Sequence, residues 1–302
     1  MKKSEPYRIK TIAEGHRIIG LNRPKHPLIS IVDVSQFKNQ SEIHAVIFEF
    51  YAISLKRGCD NLLYGQQKYD FDEGLMAFMS PGQILRGEAG GVPTQLRGWM
   101  LFFHPDLLWN TALAKKIKQY DYFGYAANEA LFLSEKEELI INDIIENIRQ
   151  EYDSNIDGFS QGIIVAHLET LLSYAERFYN RQFITRKKAS HQLLEEMEQV
   201  LSAYFADDDL VTKGLPTVQF LADSLHVSPS YLSSLLKSLT GQTAQQHIHE
   251  KLIEKAKEKL STSRLTVSEI AYELGFEHPQ SFSKLFKAKT KVSPLEFRQS
   301  FN

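Results

Sequence analysis

Two stretches near the carboxyl end of the chain read almost in register. Leu221-Ala222-Asp223-Ser224-Leu225-His226-Val227 lies over Ile270-Ala271-Tyr272-Glu273-Leu274-Gly275-Phe276. Pro229-Ser230-Tyr231-Leu232-Ser233-Ser234-Leu235-Leu236-Lys237 lies over Pro279-Gln280-Ser281-Phe282-Ser283-Lys284-Leu285-Phe286-Lys287, with one residue inserted in the second copy at the turn. Recurrence at an interval of about fifty residues marks one supersecondary unit used twice. Each copy has the features of a helix-turn-helix. Ala222 and Ala271 are small where two helices must approach, His226 and Gly275 stand in the turn, and Pro229 and Pro279 open the second helix, where a missing N–H costs nothing.

In that second helix Leu232, Leu235 and Leu236, or Phe282, Leu285 and Phe286, form an apolar stripe with helical spacing. The opposite face is polar: Ser230, Ser233, Ser234 and Lys237 in the first copy, Gln280, Ser281, Ser283, Lys284 and Lys287 in the second. A helix held by its apolar side, with a polar N-terminal half outward, suits the major groove of DNA. On this reading Gln280 pairs with adenine and Lys284 with guanine or a phosphate. Ser233, Lys237, Ser283 and Lys287 set register on the backbone. Residues 244–260 between the copies read as a helix of about 25 Å. Such a spacer could set two recognition helices in successive grooves, ~34 Å apart.

Charge follows the same division. From Pro216 to Asn302 there are 11 Lys and Arg against 8 Asp and Glu, net +3, while the rest of the chain is net −5. That is the sign expected of a nucleic-acid-binding end. Lys251, Lys255, Lys257 and Lys259 alternate with acids, so they read equally well as a solvated helix face.

These residues resemble the AraC/XylS family of transcription regulators, over about Leu215 to Phe301. The resemblance is carried by Ile270-Ala271-x-x-x-Gly275-Phe276, Phe282-Ser283-x-x-Phe286-Lys287 and Ser293-Pro294-x-x-Phe297-Arg298, with Tyr231-Leu232-Ser233 and Thr240-Gly241-Gln242-Thr243 in the first unit. It implies two helix-turn-helix units joined by a helix and bound to double-stranded promoter DNA. The chain departs from the family at Leu252, where arginine is usual, at Lys291, where glycine is frequent, and at Ser234, where a base-reading cation is common.

Upstream, His191 to Phe205 reads as a helix followed by a loop with Asp207-Asp208-Asp209, and the basic run 183–190 reads as a linker. The expected domains are thus 1–183 and 190–302. The first hundred residues read as short strands, Ala45–Leu55, Leu62–Tyr64, Leu75–Met79 and Leu96–Phe103, with Gly, Pro, Asp and Asn between them. Two amphipathic helices follow, Glu135 to Tyr152 and Gly162 to Tyr179, the first with Ser134 and Glu137 spaced as a capping box. The segment Phe71 to Gln83 is loosely similar to the strand–turn–strand of the family's cupin-type sensor domains. The fold class expected is therefore α+β: an N-terminal cupin-like β-barrel with trailing helices that pair two subunits, then an all-α DNA-binding domain. In such regulators the barrel holds an effector. Phe48, Phe50, Tyr64 and Trp99 are candidate ligand contacts by alternation, as are Tyr51 and Phe102, although core packing explains all six as well.

The remaining chemistry is excluded residue by residue. His16, His26, His44 and His104 are scattered, and His247-x-His249 lies at i, i+2 on a helix, where side chains point apart, so no metal or other cofactor is expected. No G-x-S-x-G elbow and no phosphate-cradling glycine loop occurs, so no enzyme activity is expected. The chain has 302 residues, enough for two cores, with 43% hydrophobic and 24% charged residues as in globular proteins. The single Cys59 cannot close an internal disulfide and reads as a small residue in a turn, which suits a reducing bacterial cytoplasm. Met1 to Pro6 leads into no apolar run of signal type, and nothing approaches the ~20 residues of a membrane span. Two functions compete. One is a homodimeric, effector-responsive regulator that engages RNA polymerase if it activates. The other is a cupin-like enzyme or binding protein whose helical end serves protein contacts.

Overall fold

The computed structural model describes residues 6–37, 45–57, 63–64, 67–68, 74–86, 97–126, 129–154, 157–185, 187–206 and 210–300. The chain falls into two compact units, Met1–Gln182 and Phe183–Asn302. Cys59 and the acid run 207–209 lie outside the described residues.

The strands of the first unit are β1 (Tyr7–Ile9), β2 (Ile29–Asp33), β3 (Ala45–Phe48), β4 (Tyr51–Arg57), β5 (Leu63–Tyr64), β6 (Gln67–Lys68), β7 (Gly74–Met79), β8 (Ile84–Arg86), β9 (Arg97–Phe103) and β10 (Leu131–Leu133). Five form one sheet in the order β10-β7-β4-β9-β2, three form another in the order β1-β3-β8, and β5 pairs with β6. β1 runs parallel to β3, with Arg8 opposite Ile47; the other pairs are antiparallel.

Among the described residues these strands form separate sheets, and no closed barrel of the kind expected is found. The cause lies in the run Ala45–Leu55, which reads as one strand but breaks at Glu49-Phe50. β3 goes to the three-stranded sheet and β4 to the five-stranded one. Phe48, Phe50 and Phe102 meet in the resulting core, with ring centroids 5.1 to 6.0 Å apart, together with Ile9, Ile12, Val32, Val34, Ala52 and Met100.

The helices of this unit include α1 (Ile12–Ile18), α2 (Leu113–Lys116), α3 (Glu135–Asp153) and α4 (Ser160–Thr185), which runs on past the boundary. α3 starts at the capping box of Ser134 and Glu137 and buries Ile141, Ile144, Ile145 and Ile148. It is tied to the sheet by the fork of Arg57 on Glu138, with Nη2 to Oε2 at 2.6 Å. It is also tied by the indole N–H of Trp99, which donates to Asn142 Oδ1 at 2.9 Å.

The second unit is helical: α5 (Lys187–Ala206), α6 (Leu210–Lys213), α7 (Val218–Ser224), α8 (Pro229–Thr240), α9 (Ala244–Thr262), α10 (Val267–Glu273), α11 (Pro279–Thr290) and α12 (Pro294–Gln299). The run 183–190, read as a linker, is helical on both sides of residue 186. A basic composition does not oppose a helix, and Phe183, fully buried, packs its ring 5.3 Å from that of Tyr231 on α8. Among the described residues no helix is long and apolar enough to cross a membrane.

Candidate nucleic-acid interface

The repeat in sequence is a repeat in backbone. α7 starts at Thr217, whose hydroxyl accepts from Phe220 N at 3.1 Å, and α10 starts at the capping box of Thr266 and Glu269. Both helices end in the same way. Leu225 N donates to Leu221 O and Val227 N to Ala222 O; Leu274 N donates to Ile270 O and Phe276 N to Ala271 O, all four at 3.0 Å. The corner residues between them are left-handed, His226 with φ 55° and Gly275 with φ 84°. Leu221, Ala222 and Leu225, like Ile270, Ala271 and Leu274, are buried beneath the turn.

α8 and α11 then leave each turn with proline in the first turn and end at left-handed residues, Gly241 (φ 76°) and Lys291 (φ 69°). Ser228 caps α8 by accepting from Tyr231 N at 3.2 Å, whereas the His278 side chain at the start of α11 makes no such bond. Leu232, Leu235 and Leu236 are buried on α8, and Phe282 and Phe286 on α11, while Leu285 is half-buried. Full burial of such side chains stabilises by roughly 1.5–3 kcal/mol each. With one face held this firmly, the opposite face is fixed in direction.

Of the residues expected to meet DNA, Lys237, Gln280, Ser281, Lys284 and Lys287 are exposed, and Ser230, Ser233, Ser234 and Ser283 are half-buried. Gln280, Lys284 and Lys287 fall at i, i+4 and i+7, so they form one exposed stripe along α11, and Lys291 is exposed at its left-handed C-cap. Lys289 and Lys291 extend this polar surface beyond the residues singled out from sequence. Their signal was the absence of any acid from 279 to 291.

α9 joins the two units over 19 residues, about 28 Å at 1.5 Å per residue. It buries Ala244, Ile248, Leu252, Ile253, Ala256 and Leu260, so Leu252 is a core residue. The ambiguity over its lysines resolves on geometry. Lys251, Lys255 and Lys259 pair with Glu254, Glu258 and Glu273 at 3.2, 2.8 and 2.6 Å. Lys257 lies 5.9 Å from the centre of the Phe297 ring. His247 Nε2 meets Thr240 Oγ1 at 3.0 Å while His249 is beside Gln245, so the two imidazoles serve separate contacts. Burial, and then Lys289, hold the His249 pKa below the ordinary histidine value.

The candidate effector contacts divide between different surroundings. Phe48, Phe50 and Phe102 are buried in the core between the sheets. Trp99 leaves the other face of β9 toward α3, and Tyr51 stacks on Phe103 at 4.9 Å. The backbone of Tyr64 is in β5, and its side chain lies outside the described residues. Among the described residues no group of three His, Cys, Asp or Glu side chains could hold a metal ion.

Residues 221–300 match the family described as "Helix-turn-helix domain". The chain is 36% identical over 94 residues to the uncharacterized transcriptional regulatory protein YesN of Bacillus subtilis, covering 30% of this chain and 26% of that protein. It is 36% identical over 85 residues to an uncharacterized HTH-type transcriptional regulator in the cgkA 5' region of Pseudoalteromonas carrageenovora, covering 28% and 50%. The chain thus spans half or less of the length of these curated relatives. A solved structure, the C-terminal domain of the response regulator AraT from Geobacillus stearothermophilus, is 30% identical; the match covers 36% of this chain and 84% of that one with a TM-score of 0.32. Over residues 221–300 the chain is similar to helix-turn-helix domains of the AraC type.

Proposed function

We propose that this chain is a bacterial transcription regulator that binds promoter DNA through α8 and α11 and answers to a small-molecule effector in its N-terminal unit. The observation that carries the reading is the duplicated frame: two helices with matched left-handed C-caps and matched left-handed corners before them, each buried on one face and polar on the other. That is the geometry a major groove accepts. Ser230, Ser233, Ser234 and Lys237, with Gln280, Ser281, Ser283, Lys284 and Lys287, form the DNA-facing set. Two copies associate through α3 and α4, the N-terminal sheets form the cupin-like sensor, and effector binding shifts the population of DNA-competent states. An activating form would meet RNA polymerase from the bound site, in the cytoplasm.

Binding of the purified protein to DNA from upstream of its own gene, against random duplex of equal length at several salt concentrations, tests the reading. A tighter, salt-steep complex on the upstream DNA supports it. The absence of duplex binding at low salt removes it.

A further inference from the structure

The two recognition helices share a frame but not a charge. Superposing the repeats at an offset of fifty residues sets Ser230, Ser234, Lys237, Leu239 and Gly241 of the first unit against Gln280, Lys284, Lys287, Lys289 and Lys291 of the second. The second helix and its cap thus carry four lysines where the first carry one, and neither segment, 229–241 or 279–291, contains an acid. Lys284 and Lys287 continue one exposed stripe from Gln280, and Lys291 is exposed at the cap beyond it, its ammonium donating to Ala288 O at 3.1 Å. The matching stripe on α8 is two half-buried serines, Lys237 and a glycine. α9 does not redress the balance, because three of its lysines are neutralised by Glu254, Glu258 and Glu273. A second difference points the same way. Ser281 is exposed, whereas its counterpart Tyr231 is buried against Phe183, which narrows the open part of α8 at its N-terminal end.

We infer that the two helix-turn-helix units divide the work on DNA: α11 is the electrostatic anchor, and α8 is a nearly neutral reader that contacts the duplex through short hydroxyls. The physical basis is counterion release. Each phosphate neutralised by a lysine adds about 0.9 to the slope of log affinity against log salt on duplex DNA. A lysine at a phosphate is therefore worth roughly a 3- to 4-fold loss of affinity between 50 and 200 mM salt. A serine hydroxyl releases no counterion, so its contact is insensitive to salt. The asymmetry predicts that most of the salt dependence of the whole chain comes from three positions on α11 and its cap.

This inference rests on the DNA-binding reading above, and the experiment separates the two. Full-length protein is titrated on random-sequence duplex and on the upstream DNA at 50 to 300 mM salt. Wild type is compared with K237A and with the triple variant K284A/K287A/K291G, and equal thermal midpoints serve as the folding control. The triple variant should flatten the salt slope by roughly three units and K237A by at most one. The reciprocal variant Ser234→Lys should steepen it by about one unit and tighten binding to any duplex alike. Equal flattening by K237A and the triple variant, or an unchanged slope in the triple variant, would overturn the division of labour while leaving DNA binding intact. A wild-type chain that binds neither duplex at any salt overturns both.

Discussion

His226 and Gly275 occupy the same backbone corner at φ 55° and 84°, a region where a side chain other than glycine is strained. At 275 the constraint is doubled, because a Cβ there would stand 2.9 Å from the carbonyl carbon of Gly214 and 3.0 Å from the oxygens of Gly214 and Leu210. Gly275→Ala should therefore destabilise the second unit by about 1–3 kcal/mol. Thermal melting checks this, and a midpoint equal to wild type would show that α6 gives way without cost. Substitution in the opposite sense at the first corner, His226→Gly, should be neutral or stabilise by up to about 1 kcal/mol. Gln280 and Lys287 differ in another respect, since an amide can read an adenine edge and an ammonium acts as a point charge. Gln280→Ala should cost about 1–3 kcal/mol on a specific site and little on random DNA. Lys287→Ala should weaken both and flatten the salt slope by roughly one unit. Equal losses on the two DNAs for Gln280→Ala would strip that residue of base reading.

At the level of elements, α10 and α12 are opened by reciprocal caps, Thr266 with Glu269 and Ser293 with Glu296, in which each carboxylate accepts the backbone N–H of its capping residue at 2.6 and 2.7 Å. Those backbone hydrogen bonds, and next the hydroxyl of each cap, hold both carboxyls below the ordinary glutamate pKa. A carboxyl depressed on folding contributes stability above its unfolded value and loses it as pH falls through the folded value. Melting midpoints of the second unit should thus drop more steeply below the ordinary carboxylate range in wild type than in an E269Q/E296Q variant. Parallel acid limbs would remove the caps from that account. Such elements were legible because their signals are local. Ser134 and Glu137 announced α3, and the proline, leucine and lysine pattern announced α8 and α11. The pairing of β1 with β3, the strand β2 and the break at Glu49-Phe50 were not legible, because they depend on partners brought from elsewhere in the chain. The basic run 183–190 begins where the chain divides into its two units, and only its conformation was hidden: its composition is loop-like, and what holds it helical includes Phe183 buried against Tyr231.

For the whole molecule, the chain divides into two compact units, each burying hydrophobic residues of its own, and this has a thermodynamic consequence. Phe50 is buried among Ile9, Phe48 and Phe102 in the first unit, and Leu235 is buried in α8 of the second. Domains that do not share a core need not unfold in one transition. Phe50→Ala removes a full aromatic ring and should cost about 3–5 kcal/mol, and Leu235→Ala about 2–5 kcal/mol. In a calorimetric scan each variant should lower one transition and leave the other in place. Leu235→Ala should also abolish DNA binding at temperatures where the first unit remains folded. Phe50→Ala should leave binding to random duplex unchanged at temperatures below its lowered transition, because Phe50 belongs to the first unit and the lysines of α11 to the second. If both substitutions instead shift a single cooperative transition, the units unfold as one body. The continuous helix α4, which begins in the first unit and ends beyond residue 182, is then the element to suspect, because it is the covalent path along which strain in one core reaches the other.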